Sequence, residues 1–231
     1  MKIDRKKYAI IVAGGKGTRM GNALPKQFLT LNGLPMLYYS IKAFRDAFDD
    51  IEIVLVLPKD GISFGQMVLK AFDERIDVTI VAGGETRFHS VQNGLNCIVG
   101  DAVVFVHDGA RPLVSADMIR RCYKVALQKG SAIPVVAVND SMRIEDDNGN
   151  RPVDRSKLRK VQTPQTFLSE LLLPAMQQSY TDAFTDEATV VEAFGKQVFL
   201  TSGANDNIKV TTIEDMFVAE ALLNHRAHIE R

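Results

Sequence analysis

The strongest constraint on the fold is a series of strand-length apolar runs: Tyr8 to Ala13, Ile51 to Leu57, Val78 to Ala82, Ala102 to Val106 and Ala132 to Val138. They are rich in Val and Ile and barely alternate. A strand with one solvated face alternates apolar and polar residues, whereas a strand of a parallel sheet is covered on both faces and does not. Helical stripes separate the runs. Leu37, Ile41, Phe44 and Phe48 share one face behind Pro35, and Phe64, Met67, Val68, Ala71 and Phe72 form a second stripe. Phe88, Val91, Leu95 and Ile98 form a third, with Thr86 placed as N-cap. Met118, Ile119, Cys122, Val125 and Ala126 form a fourth, opened by Ser115 or Asp117. Strands alternating with helices predict right-handed crossovers and a three-layer α/β sandwich on a mostly parallel sheet.

The rhythm breaks after Val138. Residues 139–164 are polar, and Asp146-Asp147-Asn148-Gly149-Asn150 marks a turn between two short extended runs, Ser141 to Glu145 and Arg151 to Asp154. A hairpin with so little apolar content needs cover from its own domain or from a second subunit. A projecting β-hairpin arm that makes a dimer is the expected form. Helices are expected again over Leu168 to Gln178 and Asp186 to Phe194, and a strand over Gln197 to Thr201. An extended segment should run from Asn207 to Val210. A last helix should start near Thr212, with Asp215 at its first turn and Ile213, Phe217 and Leu222 facing inward. The expected organisation is one domain over residues 1–231, with the arm at about 139–160.

Charge and cysteine count narrow the function classes. Lys plus Arg and Asp plus Glu each number 28, so the formal charge is zero, which argues against a general nucleic-acid binder. Two cysteines, Cys97 and Cys122, make neither a disulfide framework nor a four-thiolate zinc site, and are expected as buried free thiols. The apolar runs are too short to span a bilayer, and the N-terminal run leads into glycines as a first strand does. A cytoplasmic protein with no membrane partner is expected.

That first strand ends in Ala13-Gly14-Gly15-Lys16-Gly17-Thr18-Arg19-Met20-Gly21. Ligands bind at the carboxyl ends of strands in open parallel sheets. Glycines let the backbone approach a ligand, and the freed amides can point at phosphate oxygens. The spacing is neither that of the P-loop nor that of the dinucleotide fingerprint, which would need a small residue at Met20. Lys16, Arg19 and Lys26 bring cations to the same stretch, as a triphosphate with about four negative charges requires.

Ala13-Gly14-Gly15-x-Gly17-x-Arg19-Met20 followed by Leu24-Pro25-Lys26-Gln27 resembles the signature of sugar-phosphate nucleotidyltransferases, and Pro-Lys-Gln resembles the cytidylyltransferases of small polyol phosphates. Further blocks follow in the family's order. They are Ala82-Gly83-Gly84-Glu85-Thr86-Arg87-x-x-Ser90-Val91, Val106-His107-Asp108-Gly109-Ala110-Arg111-Pro112, Val153-Asp154-Arg155-Ser156, Gln162-Thr163-Pro164-Gln165, Thr185-Asp186-Glu187-Ala188 and Asp206-Asn207-Ile208-Lys209-Val210-Thr211. Asp-Arg-Ser and Asp-Asn-Ile-Lys are most similar to the members that act on 2-C-methyl-D-erythritol 4-phosphate in non-mevalonate isoprenoid synthesis.

The resemblance implies a Rossmann-like fold and transfer of CMP from CTP to the polyol phosphate, with release of pyrophosphate. It implies that Arg19 and Lys26 stabilise the α-phosphate and that Arg155 and Lys209 hold the attacking phosphate. The nucleotide would meet Ala13, Gly14, Gly15, Gly17, Gly84, Glu85 and Ser90. The polyol would meet Asp108, Arg111, Ser141, Thr163 and Thr185. Mg²⁺ would bridge the triphosphate, with Asp108 as the carboxylate near it, directly or through water. The arm, carrying Ser141 and Arg155, would complete a neighbour's pocket in a homodimer. Glu85 stands where many members have Asp, Gly14 where many have Ala, and Ser141 where Thr is frequent. His107 is assigned no chemistry. Two rivals stand beside this reading. One is a cytidylyltransferase of D-ribitol 5-phosphate; the other is a nucleotide-binding regulator that has lost turnover, against which all four catalytic cations are present.

Overall fold

The computed structural model describes residues 5–13, 29–73, 76–147 and 149–229. In chain order the elements are β1 (Lys6–Val12), β2 (Thr30–Leu31), β3 (Leu34–Pro35), α1 (Met36–Ala47), β4 (Ile51–Leu57), α2 (Ile62–Leu69), β5 (Val78–Ala82), α3 (Arg87–Leu95), β6 (Ala102–Asp108) and α4 (Ala116–Lys129). There follow β7 (Ser131–Ala137), β8 (Met142–Asp146), β9 (Gly149–Val153), β10 (Arg159–Val161), β11 (Gln165–Leu168), α5 (Ser169–Ala175), α6 (Glu187–Ala193), β12 (Leu200–Ser202) and α7 (Ile213–Ile229).

The central sheet runs β5-β4-β1-β6-β11-β7-β10, with β12 also paired to β7. β5, β4, β1 and β6 are parallel, so their carboxyl ends share one edge. β11 is antiparallel to both β6 and β7 and brings its amino end to that same edge, Gln165 opposite Val106. Successive residues of β1 and β6 feed opposite layers. Ala9, Ile11, Val103 and Phe105 pack on α1, α2 and α4, while Tyr8, Ile10, Val104 and Val106 pack on α3, α5 and α6. Burial on both faces is why these strands read as unbroken apolar runs. Thr86 and Ser115 cap α3 and α4 by accepting from the amides of His89 and Met118. Asp215 accepts from the amides of Thr211 and Thr212 at the start of α7.

Several expectations need correction. Ile213 and Phe217 face outward, Phe217 at 67% exposure. α7 instead turns Met216, Ala219, Leu222 and Leu223 onto Leu31, Met36, Leu113 and Val210. Met67 points outward from α2, which ends before Ala71. Residues 207–210 form no strand, although the Val210 amide donates to the Ala110 carbonyl. Cys122 is buried, but Cys97 is only partly so. β10 and β11 were not expected at all. The arm is present as the antiparallel pair β8–β9, exposed along its length except for a half-buried Val153. Among the described residues no helix is long and apolar enough to cross a membrane.

Candidate active site

The shared sheet edge collects the sequence blocks. Val12 lies opposite both Val56 and Asp108, and Leu57 lies opposite Ala82. The amides of Ala13, Gly83 and Gly109 donate to the carbonyls of Val56, Leu57 and Val12, at 2.9, 2.7 and 2.9 Å. The start of the glycine-rich stretch, the Gly83-Gly84 corner and Asp108 therefore stand side by side. Gly109 keeps this approach uncrowded: a β-carbon there would lie 2.6 Å from Leu37 Cδ2 and 3.0 Å from Ala13 Cβ, so the neighbours would have to shift.

Asp108 is the last residue of β6 and the centre of a charge cluster. Lys209 Nζ lies 2.8 Å from Oδ2, Arg87 Nε donates to Oδ1 at 3.2 Å, and Arg111 Nε is 4.0 Å from Oδ2. Burial alone would raise this carboxyl's pKa. The charges of Arg87, Lys209 and Arg111 outweigh it and hold the group well below the usual carboxylate range. Arg87 also forks onto Glu187, Nη1 to Oε1 at 2.5 Å and Nη2 to Oε2 at 2.9 Å, and the Glu187 side chain is only 2% exposed. Breaking so buried a pair from one side costs about 3–5 kcal/mol.

The support beneath Asp108 is a polar relay, in which Arg111 Nε and Asn207 Oδ1 are buried without a hydrogen-bond partner among the described residues. His107 Nε2 contacts the Arg111 carbonyl at 3.1 Å, and a carbonyl only accepts, so Nε2 carries the proton. Nδ1 then accepts from Thr163 Oγ1 at 3.1 Å, and that oxygen accepts from the Asp108 amide at 3.0 Å. Thr163 is buried, and its hydroxyl is committed to this chain. Arg111 Nη1 donates to the Asn207 carbonyl, Asn207 Nδ2 donates to the Thr163 carbonyl, and Gln162 pins Ala204 through both its amide atoms. These bonds seat the Lys209 loop on the end of β6. Gln165 does the same for α6, accepting from the Ala188 amide and donating to Asp186. Thr185, exposed, precedes that N-cap.

Burial keeps His107 neutral, with its pKa held down from 6.5 to about 4. Between those values the unfolded chain binds a proton that the native ring refuses. Native stability from this residue is therefore complete above the unfolded value and falls by about 3 kcal/mol as pH drops toward 4. Urea unfolding at pH 7.5 and 5 should show about 2 kcal/mol of this loss in the wild type and a flatter response in His107→Asn. Equal slopes in both proteins would contradict it.

The Gly83-Gly84 corner is closed by α3. Ser90 Oγ accepts from the Gly84 amide at 3.1 Å and donates to the Thr86 carbonyl at 2.9 Å. Glu85 is exposed. A β-carbon on Gly84 would overlap His89 Cβ and approach its carbonyl carbon to 3.0 Å. Gly84→Ala should move the corner and, on the nucleotide role that the family resemblance implies for it, raise the Michaelis constant for nucleotide at least about fivefold, with a smaller effect on the second substrate. Steady-state kinetics with each substrate varied checks this.

Gly14, Gly15, Lys16, Gly17, Arg19 and Lys26 lie outside the described residues. Ser141 and Arg155 are exposed at the base of the arm, where Arg155 Nη1 donates to the Asn139 carbonyl. Among the described residues neither is bonded to the Asp108 cluster. That cluster does not fit a protein-held metal. The Asp108 carboxylate already faces three cations, Glu187 is used by Arg87, and no group of three His, Cys, Asp or Glu is gathered among the described residues. Sequence reasoning missed Arg87 and Glu187 as site residues. Both stand inside quoted blocks, but their spacing of 100 residues gives no sign that they pair.

Comparisons with known proteins bear on the family and the fold. The family profile described as "IspD: 2-C-methyl-D-erythritol 4-phosphate cytidylyltransferase" matches residues 8–225. Proteins of that name from Bacteroides thetaiotaomicron and Porphyromonas gingivalis W83 are each 46% identical, over 94% and 96% of the chain and 100% and 99% of their own lengths. The crystal structure of 4-diphosphocytidyl-2C-methyl-D-erythritol synthase from Anaerococcus prevotii superposes with a TM-score of 0.80 at 26% identity, covering 95% of this chain and 99% of that one. The 2-C-methyl-D-erythritol 4-phosphate cytidylyltransferase from Thermus thermophilus gives 0.72 at 29% identity, covering 93% and 98%.

Proposed function

The chain belongs to the 2-C-methyl-D-erythritol 4-phosphate cytidylyltransferase family, and from that premise we propose that it transfers CMP from CTP to 2-C-methyl-D-erythritol 4-phosphate, a step of non-mevalonate isoprenoid precursor synthesis. The observation that carries this reading is the Asp108 cluster, set beside the Gly83-Gly84 corner and the end of β1 on one sheet edge.

A phosphate oxygen of the polyol phosphate attacks the α-phosphorus of CTP in line. The new P–O bond forms as the bond to the bridging oxygen breaks, and pyrophosphate leaves with the electron pair. The attacking phosphate is already ionised at neutral pH, so no general base is needed. Catalysis is alignment of two anions plus stabilisation of added charge. The Gly84 backbone and Ser90 face the nucleotide, with Glu85 beside them at the surface. Ala13 meets the nucleotide, and Gly14, Gly15 and Gly17 bind its phosphates. Arg19 and Lys26 act at the α-phosphate. Lys26→Ala should lower turnover at least about tenfold, and a near-normal rate would remove it from the site.

Asp108 accepts hydroxyl hydrogen bonds from the polyol, and Arg111 and Thr185 contact the same substrate. Lys209, 43% exposed beside it, is placed to meet the phosphate together with Arg155. Thr163 acts beneath the pocket, through Asp108 and His107. The divalent cation, Mg²⁺, is the counter-ion of the triphosphate, with no ligand required from Asp108.

The arm belongs to a homodimer in this reading. Its Met142 and Ile144 are each 42% exposed, and Val161 and Leu200 leave apolar surface open on the neighbouring sheet. A partner's arm would bring Ser141 and Arg155 to the polyol. The working unit is then one domain with its arm, in the cytoplasm where CTP is supplied. Phosphorus-31 NMR of protein, CTP, Mg²⁺ and methylerythritol phosphate tests the reading. Paired diphosphate signals of the cytidylyl product with free pyrophosphate support it; CMP alone, or no change, contradicts it.

A further inference from the structure

We propose that Arg87 is a positioning residue of this reaction: anchored by Glu187, its guanidinium fixes the Asp108 carboxylate that receives the polyol. The inference rests on the proposed role of the Asp108 cluster. It adds two residues to which the family resemblance gave no part.

Arg87 opens the first turn of α3, between the Gly84 corner and Ser90. Its three guanidinium nitrogens are divided between two carboxylates from distant elements. Nε serves Asp108 Oδ1 at the end of β6, and Nη1 and Nη2 serve Glu187 at the start of α6. Glu187 is buried and faces Arg87 with both oxygens, so the fork is held at its far end. The two oxygens of Asp108 are therefore held unequally. Oδ1 meets a guanidinium anchored by a buried partner, whereas Oδ2 meets the half-exposed amine of Lys209 at 2.8 Å. An incoming hydroxyl or phosphate can draw Lys209 away without disturbing Oδ1. Arg87 then leaves the carboxylate charged and aimed before substrate arrives, which avoids reorganisation during binding. The charges of Arg87 and Lys209 together keep Asp108 ionised against burial, and Lys209 adds a hydrogen bond.

A strut joining α3 to α6 would explain the Glu187 fork but not the Nε contact with Asp108. A lysine at position 87 keeps one positive charge but not the planar fork, so it cannot serve both carboxylates in this geometry. The test uses Arg87→Lys and Glu187→Gln, each alone and in an Asp108→Asn background. Methylerythritol phosphate is varied, and CTP binding is measured directly. Arg87→Lys should raise the KM for the polyol phosphate at least about tenfold, lower kcat less than about fivefold and leave CTP affinity within about threefold. Glu187→Gln, which keeps the shape and one acceptor, should raise the same KM about threefold or more. In the Asp108→Asn background, Arg87→Lys should change kcat/KM for the polyol phosphate less than about twofold, because the group it positions is gone.

An equal loss in both backgrounds would make Arg87 a structural strut and overturn the proposal. So would wild-type KM values in both single variants. If Arg87→Lys does not fold, Glu187→Gln carries the same comparison. If the wild-type protein itself shows no transfer to methylerythritol phosphate, the functional reading has failed rather than the assignment of Arg87.

Discussion

Asp108→Asn should lower kcat/KM for methylerythritol phosphate at least about a hundredfold and leave the CTP Michaelis constant within about threefold. Asp108 is the carboxylate at the carboxyl end of β6 facing Lys209, Arg87 and Arg111 at once. Hydrogen bonds to a charged acceptor are each worth about 1.5–3 kcal/mol, and a carboxylate can accept from two hydroxyls of a polyol. Losing charge and one acceptor together removes roughly the 2.7 kcal/mol that a hundredfold represents. The amide also leaves three cations facing one another, so some folding stability is lost, and circular dichroism should confirm that the variant is native. The Gly84 corner is built from α3 and β5, not from the Asp108 side chain, which is why nucleotide affinity is spared. The Mg²⁺ dependence of the residual rate should match the wild type, since Asp108 is not required as a ligand. A variant with near-normal kcat/KM for the polyol would move the polyol site elsewhere.

Replacing residues 141–153 with Gly-Ser-Gly should give a folded monomer that still binds CTP and turns over at least about a hundredfold more slowly. β8 and β9 pair only with each other, and Val153 alone among their residues is half-buried. The apolar clusters of the body are built entirely from other elements, so the arm contributes little to their stability. Asn139 and Arg155 stay bonded across the base of the arm, so a short link can close the chain there. Removing the arm takes away Ser141 and the dimer contact through which Arg155 would reach a partner's site. Analytical ultracentrifugation and pyrophosphate release check both halves. Full activity in a monomer would show that each chain holds a complete site, and dimers persisting without the arm would place the interface elsewhere.

The parallel half of the sheet was legible because strands covered on both faces carry Val and Ile without alternation, as in Ala102 to Val106 and Ile51 to Leu57. The arm was legible from its turn residues rather than its strands. Arg159–Val161 and Gln165–Leu168 were not, because they are short and take their conformation from β7 and β6. In α7 two apolar stripes compete. Nothing in the sequence favours Met216, Ala219 and Leu223 over Ile213 and Phe217 until Leu113 and Val210 supply a surface. The site divides the same way. The blocks were readable through their resemblance to the family, and the structure brings Ala13, the Gly83-Gly84 corner, Asp108 and Lys209 to one sheet edge. The Arg87–Glu187 fork and the Thr163–His107 relay are long-range pairings that appear only when α6 and β11 reach the end of β6.

The most direct test of the account is pyrophosphate release by the purified protein with CTP and Mg²⁺, comparing 2-C-methyl-D-erythritol 4-phosphate with D-ribitol 5-phosphate. The account predicts rapid release with the methylerythritol substrate and little with ribitol phosphate. Release with ribitol phosphate alone, or with neither substrate from folded protein, would contradict it.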